Sequence, residues 1–131
     1  MRVLIVHPSC LMYSKIFLRL EPLGLECVAE ALRRSGFEVY VLDLQVERHK
    51  DFFRALERFR PQVLAFSLNY LANVPEVIEL CKTAKSRFPD LFIFVGGHSA
   101  SFIAKELLEH AEGAIDCVRV SYTHLTLPTK A

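Results

Sequence analysis

The chain of 131 residues has the length of one domain, enough to bury a core and too short for two. Its 16 basic and 15 acidic side chains leave a net charge near zero, which excludes the electrostatic footprint of a nucleic-acid binder or of a protein held on an anionic membrane. Its apolar runs fall far short of the ~20 residues that span a bilayer, and MRVLIVHPSC breaks at His7-Pro8, too early for a signal peptide.

The first predicted element is a buried strand, VLIVH (Val3 to His7). A long apolar loop follows from Cys10 to Pro22, well beyond the usual connection of about two to six residues. LGLECVAEALRRSG (23–36) is helical, with Leu25, Val28, Ala29 and Leu32 on one face, basic residues in its last turn and Gly36 as its stop. EVYVLDL (38–44) is the second strand. HKDFFRALERFRP (49–61) is a helix ended by proline. VLAFS (63–67) is the third strand. NVPEVIELCKTAKSRFP (73–89) is a helix opened by Asn73 as a cap with proline in its first turn. LFIFVG (91–96) is the fourth strand, SFIAKELLEHAEG (101–113) a helix with a Ser101 cap and a closing glycine, and IDCVRV (115–120) a weaker fifth strand.

The strand runs are continuous rather than alternating, the pattern of strands covered on both faces. Strand and helix alternate throughout, which predicts right-handed crossovers and a doubly wound α/β fold: a five-stranded parallel sheet, flavodoxin-like, in the order 2-1-3-4-5. Ligands of such sheets lie beyond the carboxyl ends of the strands.

Four short stretches fall at those ends. The first is His7-Pro8-Ser9 with the apolar loop, which calls for a large apolar ligand or another domain. The second is Ser67-Leu68-Asn69-Tyr70, whose small polar groups either bond a ligand or cap the loop. The third is Gly96-Gly97-His98-Ser99. Its glycines either clear the lip of the cleft for something bulky or serve a turn that needs positive φ. The fourth is Asp43-Leu44-Gln45.

Familiar nucleotide sites are missing. HPSCLM stands where a dinucleotide fold needs GxGxxG, there is no GxxxxGK[ST], and His7 and Ser67 occupy the places where a phospho-receiver carries acids. A flavin module would want a Ser/Thr-rich phosphate cradle after the first strand. Cys10, Cys27, Cys81 and Cys117 have neither CxxC nor metal-finger spacing and read as buried, reduced thiols.

Taken in order, the apolar loop with PLGLECVAEALRRSGFEVYVLDL, then SLNYLANVPEV and VGGHSAS, resembles the N-terminal cobalamin-binding domain of cobalamin-dependent radical S-adenosylmethionine enzymes. LMYSKIFLRLEPLGLE, NYLANVPE, FVGGHSAS and EGAIDCV further resemble hopanoid C-3 methylases. The resemblance implies a corrinoid lying flat over the carboxyl edge of the sheet, with its nucleotide tail beside the third and fourth strands. Ser67 and Asn69 would meet the tail and Gly96-Gly97 would pack against it. His7, Pro8, Ser9, Leu68, Tyr70, His98 and Ser99 would complete the cofactor-binding surround. The DxHxxG motif of classical cobalamin modules is absent, so base-off cobalamin without a protein histidine on cobalt is the expectation. Asn69 stands where the family's serine motif prefers leucine.

In such enzymes a methyl group passes from methylcobalamin to a substrate carbon radical. The radical is made by a second domain that holds S-adenosylmethionine and a [4Fe–4S] cluster on a CxxxCxxC loop. No such spacing occurs here, so the chain alone is expected to lack that chemistry. The implied partners are cobalamin, a radical domain in cis and a hydrophobic lipid, in a cytoplasmic protein peripheral to the membrane through that lipid. VSYTHLTLPTKA (120–131) resembles translated sequencing adapter, so residues 1–119 are read as the domain and 120–131 as a non-native tail. The alternative reading is a stand-alone flavodoxin-like interaction module without catalysis.

Overall fold

The computed structural model describes residues 1–9, 23–68, 71–97, 100–119 and 125–126. In chain order the elements are β1 (Arg2–His7), α1 (Leu23–Arg34), β2 (Glu38–Asp43), α2 (His49–Phe59), β3 (Val63–Ser67), a 3₁₀ turn (Leu71–Asn73), α3 (Val74–Arg87), β4 (Phe92–Gly96), α4 (Ala100–His110), β5 (Cys117–Arg119) and β6 (Leu125–Thr126). The sheet order is β2-β1-β3-β4-β5-β6. The first five strands pair in parallel, as the sequence predicts. The two-residue β6 runs antiparallel to β5, with Val118 opposite Thr126. It falls within the stretch read as a foreign tail, whose other residues lie outside those described.

The topology follows from handedness. The step from β1 to β2 runs one way along the sheet and every later step runs the other way, so right-handed crossovers put α1 on one face and α2, α3 and α4 on the opposite face. The main core lies under these three helices. Leu4, Val6, Leu64, Phe66, Ile93 and Val95 from the sheet meet Phe52 and Leu56 of α2, Val77, Leu80 and Cys81 of α3, and Leu107 of α4. The Phe52 and Phe66 rings sit 5.7 Å apart in a tilted pair, and burying each ring stabilises the fold by about 2–3 kcal/mol.

The other face is thinner. Val3 and Ile5 pack with Ala29 of α1, and Val39, Val41, Val63 and Ala65 are only partly covered. Phe92, on the same face, is 44% exposed. The continuous apolar runs predict two covered faces; β1 meets that description from Val3 to His7, whereas β2, β3 and β4 are covered less completely. Val28, predicted on the buried stripe of α1, is 52% exposed, because among the described residues of α1 Ala29 and Leu32 make the contact with Val3 and Ile5.

Helix ends also depart in detail. The residue after α2 is Arg60 in the left-handed region (φ 50°), its N–H returning to the Leu56 carbonyl, and Pro61 follows. Asn73 has helical angles and no capping bond of its own. Ser101 lies inside α4, which begins at Ala100 and kinks at Ile103 (φ −129°). Cys81 and Cys117 are buried, whereas Cys27 is exposed on α1, so the expectation of four buried thiols fails there. Cys10 lies outside the described residues. No described helix is long and apolar enough to cross a membrane.

Candidate functional site

At the carboxyl edge, β1 ends in His7, which pairs in register with Asp43 at the end of β2. His7 is 9% exposed. Its Nδ1 donates to the Pro8 carbonyl at 2.8 Å and lies 3.8 Å from Asp43 Oδ1. A carbonyl can only accept, so this contact fixes the ring proton on Nδ1. Asp43 Oδ1 also accepts from the Gln45 N–H at 2.9 Å, and the Leu44 N–H bonds the His7 carbonyl at 2.9 Å. The β1 and β2 ends are therefore tied together.

Ser9 is held from α3. Its N–H donates to Glu76 Oε1 at 2.9 Å, and its hydroxyl donates to Glu76 Oε2 in a short contact. The Asn73 amide donates to the Ser9 carbonyl at 3.1 Å. His49, the first residue of α2, brings its Nε2 within 2.6 Å of the same Glu76 Oε2. Helices of a parallel sheet run back against their strands, so the N-termini of α2 and α3 arrive beside the carboxyl end of β1. Burial pushes the Glu76 carboxyl up, but hydrogen bonds from the Ser9 hydroxyl, His49 and the Ser9 N–H outweigh it and hold the group below its ordinary range.

Beyond β3 and β4, Ser67 stands opposite Gly96, and the Leu68 N–H donates to the Gly96 carbonyl at 2.6 Å. Gly97 has φ +116°, and a β-carbon there would lie 2.5 Å from the Leu68 carbonyl oxygen. The turn reading of the glycines thus accounts for Gly97: it lets the β3 and β4 loops meet backbone to backbone. Asn69, Tyr70, His98 and Ser99 lie outside the described residues, as does the Cys10–Pro22 loop.

Among the described residues the structure brings His7, Pro8, Ser9, Ser67, Leu68, Gly96 and Gly97 to one edge. Glu76 and His49 carry no local signal of a site in the sequence, and Asn73 looks there like a helix cap. A carboxylate in the first turn of a helix looks like a favourable helix-dipole charge, and nothing local announces its partner. Two open grooves among the described residues, one of about 350 Å³ beside Lys82, Lys85 and Gly113 and one beside Gln62 and Phe88, lie at the amino edge, away from these strand ends. No group of three metal-ligating side chains occurs among the described residues.

A parallel five-stranded sheet with helices on both faces is an α/β domain of the flavodoxin-like class, in which ligands lie beyond the carboxyl ends of the strands. The chain belongs to the B12-binding domain family, whose profile matches residues 10–129. It is 69% identical over 118 residues to the hopanoid C-3 methylase of Methylococcus capsulatus, a match covering 90% of this chain and 23% of that protein. The chain therefore spans about a quarter of the length of that relative.

Among solved structures, the cobalamin-dependent S-adenosylmethionine radical enzyme OxsB, with aqua-cobalamin and S-adenosylmethionine bound, is similar at TM-score 0.77 and 21% identity. That match covers 92% of this chain and 17% of the other. A cobalamin-binding protein from Desulfitobacterium hafniense is similar at TM-score 0.66 and 16% identity, covering 92% of this chain and 53% of the other. These likenesses show a shared fold. The resemblance and the strand order read from the sequence are borne out.

Proposed function

We propose that this chain is the cobalamin-holding domain of a radical S-adenosylmethionine methylase that transfers a methyl group to an unactivated carbon of a hydrophobic, hopanoid-like substrate. The observation that carries the reading is the 69% identity over 118 residues to a hopanoid C-3 methylase. The edge chemistry supports it. At the β3 and β4 ends Gly97 is exposed and Ser67 half-buried, with Leu68 and Gly96 buried beneath them and no charged side chain among the four, which suits a broad neutral macrocycle passing close to backbone.

In this reading Ser67 and Asn69 meet the nucleotide tail, Gly96 and Gly97 let it lie against the β3 and β4 ends, and His7, Pro8 and Ser9 form the neighbouring wall. Leu68, Tyr70, His98 and Ser99 complete the surround. When bound, the corrinoid supplies a methyl group carried on cobalt. The chain's part is to hold and orient it. S-adenosylmethionine and the [4Fe–4S] cluster belong to a further domain of the full-length protein, because Cys10, Cys27, Cys81 and Cys117 cannot form the three-cysteine loop that a cluster with one open iron needs.

Titrating aquacobalamin into the full-length protein and following absorbance tests the cofactor half. A saturable shift to a base-off spectrum is expected, and no binding overturns the reading. Supplying methylcobalamin, S-adenosylmethionine, a reductant and a hopanoid tests the substrate half. A methylated hopanoid is expected, and turnover confined to polar substrates removes the lipid assignment.

A further inference from the structure

We infer that Glu76 is a positioning residue for cobalamin binding, acting through Ser9: its carboxylate locks the Pro8–Ser9 wall of the site into the conformation that receives the cofactor. The inference rests on the cobalamin reading above and adds Glu76, Asn73 and His49 to it.

Three observations carry it. First, Ser9 is gripped at every polar group it has. Its N–H and hydroxyl both donate to Glu76, and its carbonyl accepts from Asn73 at 3.1 Å. A segment just past a strand end needs no such triple anchor merely to leave the sheet. Second, the anchor is itself braced. Glu76 Oε2 also receives His49 Nε2 at 2.6 Å, and Asn73 Nδ2 reaches Glu76 Oε1 at 3.5 Å, so α2 and α3 both fix the carboxylate. Third, the side chain of Glu76 is mostly buried at 15% exposure, and charge-assisted hydrogen bonds in such a setting are stronger than exposed ones. All of this stands beside the end of β1, whereas Lys82 of α3 and Glu112, past the end of α4, make an ordinary exposed pair at 3.8 Å.

The physical consequence is pre-organisation. If the wall is held in its receiving conformation before the cofactor arrives, loss of the anchor lowers the competent fraction, and the apparent Kd rises by the inverse of that fraction. A drop to about one tenth competent gives about a tenfold weaker Kd. The loss falls on the association rate, because the bound state is unchanged.

The test uses the full-length protein and aquacobalamin, with Kd, kon and koff measured for wild type, Glu76→Gln, Asn73→Ala, Ser9→Ala and Ser9→Ala/Glu76→Gln. Expected are a roughly tenfold fall in kon for Glu76→Gln, a smaller one for Asn73→Ala, near-constant koff, and a double mutant much less than additive. Asp116→Ala, which breaks a polar anchor at the amino edge of the sheet, serves as the control for general destabilisation and is expected to keep wild-type kon.

Wild-type kon in Glu76→Gln and Asn73→Ala overturns the inference while leaving the cobalamin reading intact. An equal fall in the Asp116→Ala control overturns it too, by reducing Glu76 to general stability. Failure of the wild type to bind removes the cobalamin reading and this inference with it.

Discussion

The carbonyl oxygen of Leu68 occupies the space that a β-carbon on Gly97 would need, 2.5 Å from that ideal position. The two loops that leave β3 and β4 are thus fitted main chain to main chain, and the Leu68 N–H bond to Gly96 at 2.6 Å closes the contact.

Gly97→Ala is expected to destabilise the domain by about 2 kcal/mol or more, because a left-handed backbone and a clash with main chain act together. Gly36→Ala is the comparison: its φ is also positive, at +95°, but nothing lies within 4 Å, so only the backbone strain of about 1 kcal/mol remains. Urea denaturation of both variants checks the difference, and equal losses would show that the Leu68 contact relaxes freely.

Asp116 joins three elements. Its Oδ2 receives Lys85 Nζ of α3 at 2.5 Å and the Ile93 N–H of β4 at 2.8 Å, while Lys85 also reaches the Leu91 carbonyl at 2.6 Å. Asp116→Ala leaves two donors short of an acceptor and is expected to cost about 2 kcal/mol. Lys85→Met should cost less, since Asp116 keeps the Ile93 bond. Thermal melts of the two variants give the ranking.

The Glu76 carboxyl, lowered in the folded protein, contributes stability that is fully present above its ordinary unfolded range and is lost as pH falls through the lowered folded value. The stability gap between wild type and Glu76→Gln should therefore be widest at neutral pH and close as the solution is acidified through the carboxylate range. Denaturant midpoints measured across that range check the sign; a gap that widens towards acid would contradict it.

The thiols should separate by environment. Cys27 is exposed, whereas burial pushes the Cys81 thiol far up, with Asp116 adding to it, and the same two causes raise Cys117. Brief alkylation of the native protein, read by peptide mass spectrometry, should label Cys27 and spare Cys81 and Cys117 until denaturant is added. Labelling of Cys81 at the Cys27 rate would mean that α3 opens readily.

Along the chain, the spacing of apolar runs determined the alternation of strands and helices, the parallel order of the first five strands and the four stretches at their carboxyl ends. Those signals are local: a strand reveals itself by a continuous apolar run, and a helix by its periodicity and its stop residues. That Ser67 and Gly97 stand at neighbouring strand ends was legible for that reason.

Tertiary structure alone decided which polar groups meet there. Ser9 and Glu76 are 67 residues apart and His49 and Glu76 are 27 apart, and Asn73, locally a helix cap, spends its amide on Ser9 instead. It also decided that Ala29 rather than Val28 reaches the sheet and that Cys27 faces solvent. Apolar pattern fixes which segments must be buried, but the partner of a carboxylate is set by which helix N-terminus arrives beside which strand end, and that is a property of the packed fold.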